Sequence, residues 1–355
     1  MGCLFSKKSN SQPETEAPKK EYSWDKRTQI KVEDFALDGL QDKTVVRLPG
    51  SIDGQQFIIQ NCTNCKIFLL DYTATVTIDK CIDCQIVLGP IKGSLFFRNC
   101  KNCKCLCACQ QFRTRDCSRM DIFLFCMTQP IIEASNRMKF GCYQLSHAGL
   151  EKQFADAGLE IMNNTWNSIY DFTPNPEEGA NWSLIPEETN IDQLLTFTTE
   201  RMENEDGNDS LNKSCLPEDM TLSSNSECSI VPMTSGERGS TSAESCLALF
   251  FHHDRAIQTS MSVIRQLQQS QITLVRSKQI PIPQETASDM FDKSTQSKLL
   301  KATNQGNVIG LEFNGPDCLE KCHEATNSLA EGLLTFVTDS NHHIERFFTC
   351  LDMQM

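Results

Sequence analysis

Three C-x-x-C pairs stand in a row in this chain: Cys62/Cys65, Cys81/Cys84 and Cys100/Cys103. Cysteine thiolates at that spacing hold zinc. The first two pairs, with 15 residues between them, have the form of a zinc ribbon. Two other stretches carry possible chemistry. ACQQFRTRDC puts Gln111, Arg113 and Arg115 at alternate positions, so on a strand they share one face and Phe112 takes the other. Outward arginines on a strand are ordinarily surface charge, and spacing alone assigns them no role. MGCLFSKK has the form M-G-x-x-x-[ST], the N-myristoylation pattern for Gly2, with Cys3 beside it as an S-palmitoylation candidate. Lys7, Lys8, Lys19 and Lys20 could meet anionic headgroups. One myristoyl chain binds a bilayer with K of only about 10⁴ M⁻¹, so a stable anchor needs such second signals.

The elements that position these residues follow from a repeat. Each Cys pair lies 19 residues after the last, and the flanking residues repeat with it. Phe57, Val76 and Leu95 form one column, Ile59, Ile78 and Phe97 a second, and Ile67, Ile86 and Cys105 a third. A fourth copy, shortened by two residues, supplies Phe112, Thr114, Cys117, Met120 and Ile122. A fixed period with alternation inside it (TATVTID, GSLFFRN) indicates stacked units. About 19 residues allow three short strands with turns, one coil of a parallel β-helix, each coil lying about 4.8 Å above the last. The columns then point inward as ladders. Cysteine suits a ladder as a small hydrophobe with a weak donor, whereas Met120 in a cysteine column does not suit zinc. The pattern therefore predicts a cysteine ladder and no metal. QPIIEASNRMKFGCYQL is a candidate fifth coil without a clear register. EYSWDKRTQI and NNTWNSIYDFTPNPEEGANWSLIP, which together hold all three tryptophans, read as caps over the open ends.

The chain has 355 residues, enough for two domains and linkers. Its net charge of −13 argues against nucleic acid as a partner. No run of 18 apolar residues suggests a membrane-spanning helix, and no secretory leader is apparent. An odd count of 19 cysteines, in a chain with an acylation signal, points to reduced thiols. The sequons at Asn163 and Asn181 would then stay unmodified.

Residues 186–243 are rich in Ser, Thr, Glu and Asn without sustained periodicity and read as an acidic, disordered linker in which SIVPM could dock locally. From residue 244 onward strands and helices alternate. CLALFF reads as a strand, then a helix with Asp254 as N-cap and Ile257, Met261, Ile264 and Leu267 at helical spacing. ITLVRS is a strand, ASDMFDKSTQSKLL a helix, NVIGLEF a strand, DCLEKCHEATNSLA a helix and LLTFVT a strand. That order suggests a ferredoxin-like α/β domain, and the seven phenylalanines from Phe250 to Phe348 would fill its core.

The coils, with YSWDKR, RLPGSIDGQQFIIQNC, VTIDKC, SLFFRNC, ACQQFRTRDC and TQPIIEASN, resemble the tubulin-folding cofactor C family. The C-terminal half is similar to nucleoside diphosphate kinase. The resemblance covers nearly everything except residues 186–228. It implies a fold that is mainly β plus α/β: a lipid-anchor tail (1–20), a right-handed parallel β-helix with caps (21–185), the linker (186–243) and a kinase-like domain (244–355). It also implies a GTPase-activating protein, not an enzyme in its own right, for an Arf-like small GTPase, the third Arf-like member, in trafficking lipidated cargo to cilia. The partner would hold the GTP and Mg²⁺, and this chain no cofactor of its own. The expected locations are the cytoplasmic face of the plasma membrane, the cilium and basal body, and Golgi vesicles.

In that family the arginine of Q-Q-F-R is the finger inserted beside the partner's nucleotide, and here it is Arg113. Gln111 and Glu133 match positions that hold or support it, and a carboxylate pairing with the arginine would pre-orient it. Glu133 could equally cap a coil edge. Arg115 also matches, as an interface contact or as a structural partner of Asp116. Two other readings remain: a tubulin GTPase activator and folding cofactor, or a membrane scaffold that binds the GTP-bound partner without accelerating hydrolysis. Phosphotransfer by the C-terminal half is disfavoured. The kinase motif N-x-x-H-G-S-D is absent, His342 and His343 lack the Gly-Ser-Asp, and His252 and His253 lie at the end of a strand.

Overall fold

A computed structural model describes residues 32–175, 177, 179–186, 189, 191, 195, 229–236, 242–292 and 296–350. The tail with Gly2 and Cys3, the YSWDKR cap and most of the acidic linker lie outside them.

The first half is a parallel β-helix. One face stacks β1 (Ala36–Asp38), β3 (Phe57–Gln60), β5 (Val76–Asp79), β7 (Ile91–Arg98), the end of β8 (Lys104–Arg115), β10 (Ile131–Glu133) and β12 (Tyr170–Asp171). A second stacks β2 (Thr44–Arg47), β4 (Lys66–Leu69), β6 (Gln85–Leu88), the start of β8, β9 (Ser118–Cys126), β11 (Asn136–Cys142) and β13 (Trp182–Leu184). All of these pairings are parallel. The register runs Phe57–Val76–Leu95–Phe112, Ile59–Ile78–Phe97–Thr114 and Ile67–Ile86–Cys105–Ile122, so the columns seen in the sequence are inward ladders. The short fourth copy lacks the corner between faces, and β8 crosses from one face to the other without a break.

The C-x-x-C pairs mark a tight corner. A residue with left-handed backbone stands immediately before each inward residue: Asn61, Asn64, Lys80, Asp83, Asn99, Asn102, Asp116 and Arg119. Asn and Asp tolerate that conformation better than other residues with a Cβ. They also bond along the stack, Asn61 Nδ2 donating to Asp38 Oδ1 at 2.8 Å and Asn99 Nδ2 to Asp79 Oδ1 at 3.0 Å. The cysteines turn inward and donate to carbonyls two residues back, Cys62 to Gln60 at 3.3 Å, Cys84 to Ile82 at 3.3 Å and Cys100 to Arg98 at 3.1 Å. Opposite this corner the coils approach so closely that a Cβ on Gly89 would lie 2.4 Å from the Asp71 carbonyl oxygen.

The fifth coil has a defined register, Ile132 beside Thr114, Met138 beside Met120 and Phe140 beside Ile122, with Ser135 in the cysteine position. The segment read as a C-terminal cap instead adds a short sixth coil: β12 and β13 extend both faces, and Trp166 is buried in the solenoid core. Between β11 and β12, residues 143–169 fold back over the second face. Helix α1 (Leu150–Ala157) buries Leu150, Phe154 and Ala157 against Phe68, Val87, Leu106 and Phe123, which point outward from the strands.

The linker is not wholly separate from the fold. Ile191, Leu195 and Val231 are buried in the same cluster, and the SIVPM segment docks. Trp166 Nε1 donates to Thr234 Oγ1 at 2.8 Å, and the Ser235 N–H donates to the Leu274 carbonyl at 2.9 Å.

The second half is β14 (Ser245–Phe250), α2 (Ala256–Gln269), β15 (Thr273–Ile280), α3 (Gln284–Met290), α4 (Ser297–Ala302), β16 (Val308–Asn314), α5 (Cys318–Leu329), β17 (Thr335–Thr338) and α6 (Asn341–Thr349). The sheet order β15-β16-β14-β17, antiparallel throughout, is the ferredoxin-like order. Three sequence expectations are corrected, and one segment left without an element, SNHHIERFF, gains one. ASDMFDKSTQSKLL forms two short helices. Arg255, not Asp254, occupies the N-cap of α2, where its N–H donates to His253 Nδ1 at 3.1 Å. Ile257, in the first turn, is exposed although Met261 and Ile264 on the same stripe are buried. SNHHIERFF is the helix α6, capped by Ser340. The domain meets the solenoid insert through β15: Ser277 Oγ donates to the Met162 carbonyl at 2.8 Å, and the Gln279 N–H to Asn163 Oδ1 at 2.6 Å.

Candidate functional site

Among the described residues no helix lies over the first face of the solenoid, and here the sequence-named residues gather. Phe112 and Thr114 are buried, so Arg113 and Arg115 project outward and are exposed. In register, Arg113 lies between Phe96 of the coil before and Ile131 of the coil after, and Tyr170 follows in the same column. The next outward column holds Asp79, Arg98, Arg115 and Glu133. The Phe172 N–H donates to the Ile132 carbonyl at 2.8 Å and continues this edge. Tyr170 and Phe172 are 48% and 64% exposed and meet edge to face with centroids 6.0 Å apart. Exposed aromatics of this size beside an unpaired cation are a feature of contact surfaces.

The cations around Arg113 are engaged. Arg98 lies 5.6 Å from the centre of the Phe96 ring and 3.7 Å from Asp79, and Arg115 lies 3.4 Å from Asp116. Among the described residues the Arg113 side chain has no ion pair and no hydrogen bond. The expected Glu133–Arg113 pairing is therefore not formed. The parallel register puts Glu133 opposite Arg115 and gives Arg113 the apolar Ile131 as its neighbour. Ser94 Oγ donates to Gln111 Oε1 at 3.1 Å, which fixes the Gln111 side chain beside the finger position.

The cysteines of the C-x-x-C pairs line the buried interior of the ladder, where Cys84 donates to the Cys62 carbonyl at 3.5 Å and Cys103 to the Cys81 carbonyl at 3.5 Å. Burial pushes the Cys107 and Cys109 thiols up, away from the thiolate that metals and electrophiles need. Among the described residues no group of three or more His, Cys, Asp or Glu side chains is placed to hold a metal ion. In the C-terminal half, His343 Nε2 bonds with the Met290 carbonyl at 2.8 Å and its ring packs on Phe336, while His342 lies 3.3 Å from Asp289. Both are tied to neighbouring elements of the helical layer, whereas a phosphoryl-accepting imidazole needs a free nitrogen facing a nucleotide.

Tyr170 and Phe172 were not identified from the sequence as site residues, because the long excursion after β11 separates them from the coil they complete. Their alternation in YDF, two apolar residues about one inward position, was the available signal.

The profile of the family described as tubulin binding cofactor C matches residues 54–172, which span the solenoid through the edge bearing Tyr170 and Phe172. Protein XRP2 of Homo sapiens is 42% identical over 100% of this chain and 99% of its own length, and Protein XRP2 of Xenopus laevis is 41% identical with the same coverage. Tubulin-specific chaperone C of Mus musculus is 28% identical over 43% of this chain and 45% of its own. A solved tubulin binding cofactor C from Leishmania major, 27% identical, covers 36% of this chain and 86% of that one with a TM-score of 0.31. The solenoid is thus the portion shared with the cofactor C proteins, and the full length is shared with a narrower group. This chain belongs to the XRP2 family.

Proposed function

We propose that this protein is a GTPase-activating protein for an Arf-like small GTPase, the third Arf-like member, with Arg113 as its arginine finger. One observation carries the reading: an exposed arginine, unpaired among the described residues, stands on a rigid ladder between apolar neighbours. In GTP hydrolysis, negative charge spreads over the γ-phosphoryl oxygens as the transition state forms. A guanidinium delivered from a second protein neutralises that charge and raises the rate about 10³–10⁵-fold. Arginine suits the task because its planar fork contacts two oxygens and keeps its proton. The stacked strands hold the backbone still, so little freedom is lost on docking. Phe96, Ile131, Tyr170 and Phe172 would exclude water around the contact, and Gln111 would orient the partner's groups beside the finger. Glu133 and Arg115 would form the polar border. GTP and Mg²⁺ belong to the partner, and this chain needs no cofactor for the step.

Myristoylation of Gly2 and palmitoylation of Cys3 would keep the protein on the cytoplasmic face of the plasma membrane and on ciliary and Golgi membranes. There, discharging the GTP-bound partner would act in the trafficking of lipidated cargo to cilia. The tubulin-directed reading has one observation in its favour, the cofactor C match over residues 54–172. The finger does not discriminate, because it needs only the shared solenoid; the acylation signal at Gly2 and Cys3 favours the Arf-like partner. Single-turnover GTP hydrolysis, measured with the third Arf-like GTPase and separately with tubulin, tests both. The expected result is strong stimulation of the Arf-like GTPase. Stimulation of tubulin alone would replace the reading with the cofactor one. Binding to the GTP-loaded GTPase without stimulation would make the protein a scaffold.

A further inference from the structure

Around the corner from Arg113, the edge of the solenoid changes charge along its length. The left-handed position before the second inward residue of each coil is Asp42, Asn64, Asp83, Asn102, Arg119 and Arg137 in succession. The first four are the types this backbone favours. The last two are arginines with φ of 57° and 53°, one directly above the other in adjacent coils about 4.8 Å apart. The neighbouring left-handed column departs from Asn and Asp as well, at Lys80 and Ala134, so unusual backbone alone would say little. The chemistry beside the arginines says more. Lys101, Lys104 and Lys139 flank them, and Asp121 is the one carboxylate among these six residues. Arg119 and Arg137 are exposed and make no ion pair or side-chain hydrogen bond among the described residues. The same edge in the first coils carries Asp38, Asp42, Asp79 and Asp83 against Lys43, Lys66 and Lys80. Counted over the same two columns as the first coils, Arg98, Lys101, Lys104, Arg115, Arg119, Arg137 and Lys139 stand against Asp116, Asp121 and Glu133, so a chain of net charge −13 concentrates seven cations against three anions on a single short stretch.

Resting on the proposed function, we infer that this corner is a docking site for acidic side chains of the same GTPase, beside the nucleotide that Arg113 enters. Two features favour a protein over a lipid surface. The basic stretch spans only the last coils, and a flat anionic bilayer lying along the edge would also meet the carboxylates of the first coils. It is also continuous with the Arg113 face: residues 113, 115 and 119 project from a single coil. A compact acidic patch seated against Tyr170 and Arg113 would reach Arg119 and Arg137 without touching Asp42 or Asp83. Unpaired guanidiniums at such a border act on encounter and orientation, not on the chemical step.

The test uses Arg119→Asn with Arg137→Asn. Asparagine is the residue the left-handed backbone prefers, so the variant keeps or raises the melting temperature and a folding defect cannot explain its behaviour. Affinity is measured by fluorescence anisotropy with the third Arf-like GTPase loaded with a non-hydrolysable GTP analogue, at low and high salt, alongside single-turnover hydrolysis. The expected result is an affinity weakened about tenfold at low salt, a flatter salt dependence and an unchanged rate at saturation. Unchanged affinity and salt slope would overturn the docking site. So would binding loss on sedimented vesicles containing anionic phospholipid while GTPase affinity stays unchanged, which would assign the corner to membrane. If the wild-type protein binds the GTPase but does not stimulate it, the finger reading fails while the affinity comparison still tests the corner. If it does not bind at all, both fail.

Discussion

Two faces of one solenoid are built from the same coils and meet different fates. On the covered face, outward residues such as Phe68, Leu106 and Phe123 are as buried as inward ones, because α1 and the segments around it lie over them. Its strands accordingly read as continuous apolar runs, KCLCAC and DIFLFC. On the bare face the strands alternate, FIIQ, VTID and SLFFR, and the outward positions hold Phe96, Arg113, Ile131 and Tyr170. Apolar groups on the first face are spent on stability, and those on the second remain available to a partner. Substitutions on the two faces should therefore separate cleanly, one set changing melting and the other changing catalysis.

The largest separation is expected at Arg113. Arg113→Ala should lower stimulated single-turnover hydrolysis about 10³–10⁵-fold and leave the melting temperature unchanged, since the side chain has no partner among the described residues. Arg115→Ala, which frees only Asp116, should cost far less in the same assay. Next comes the covered face. Phe154 is buried, with Phe125 and Tyr143 rings 5.3 and 5.9 Å away. Phe154→Ala should cost about 3–5 kcal/mol in denaturant unfolding, while stimulation measured well below the transition stays normal. A catalytic loss in the folded variant would mean the faces are coupled. Phe172→Ala reverses the pattern at smaller scale, raising the concentration for half-maximal stimulation about tenfold with no change in melting.

The smallest effect concerns pH. Burial holds the pKa of His147 below its ordinary value. The unfolded chain then binds the extra proton more readily than the folded one, so stability is full above the ordinary histidine range and falls as pH drops through it. Wild-type protein should lose slightly more melting temperature than His147→Gln between neutral and mildly acidic pH. Equal losses would remove His147 from the account.

Much of this was legible in the sequence because a β-helix repeats its physics. One 19-residue period fixed the ladders, and Asn or Asp, the types the corner favours, stands before every inward cysteine of the corner except Cys81, which follows Lys80. Legibility failed where the repeat changed its residues. Ser135 and Met138 replace cysteines in the fifth coil, and its register emerged only from the pairing of β10 and β11. The candidate site was half visible. Arg113 and Gln111 sit inside a regular coil, whereas Tyr170 and Phe172 arrive after the excursion that carries α1. No local period links them to Arg113. In the C-terminal half, alternation of strands and helices gave the ferredoxin-like order, and Met261, Ile264 and Leu267 are buried as their spacing implies, but Ile257 on the same stripe faces solvent because spacing does not say how far along α2 the covered part begins.

The central claim is that the bare face presents a cation to another protein's nucleotide. The most direct measurement titrates wild-type, Arg113→Lys and Arg113→Ala proteins to saturation against the GTP-loaded third Arf-like GTPase and compares plateau rates in single turnover. The account predicts similar half-saturation for all three, a plateau near the unstimulated rate for alanine, and only slight recovery with lysine. An alanine variant that reaches the wild-type plateau would contradict it.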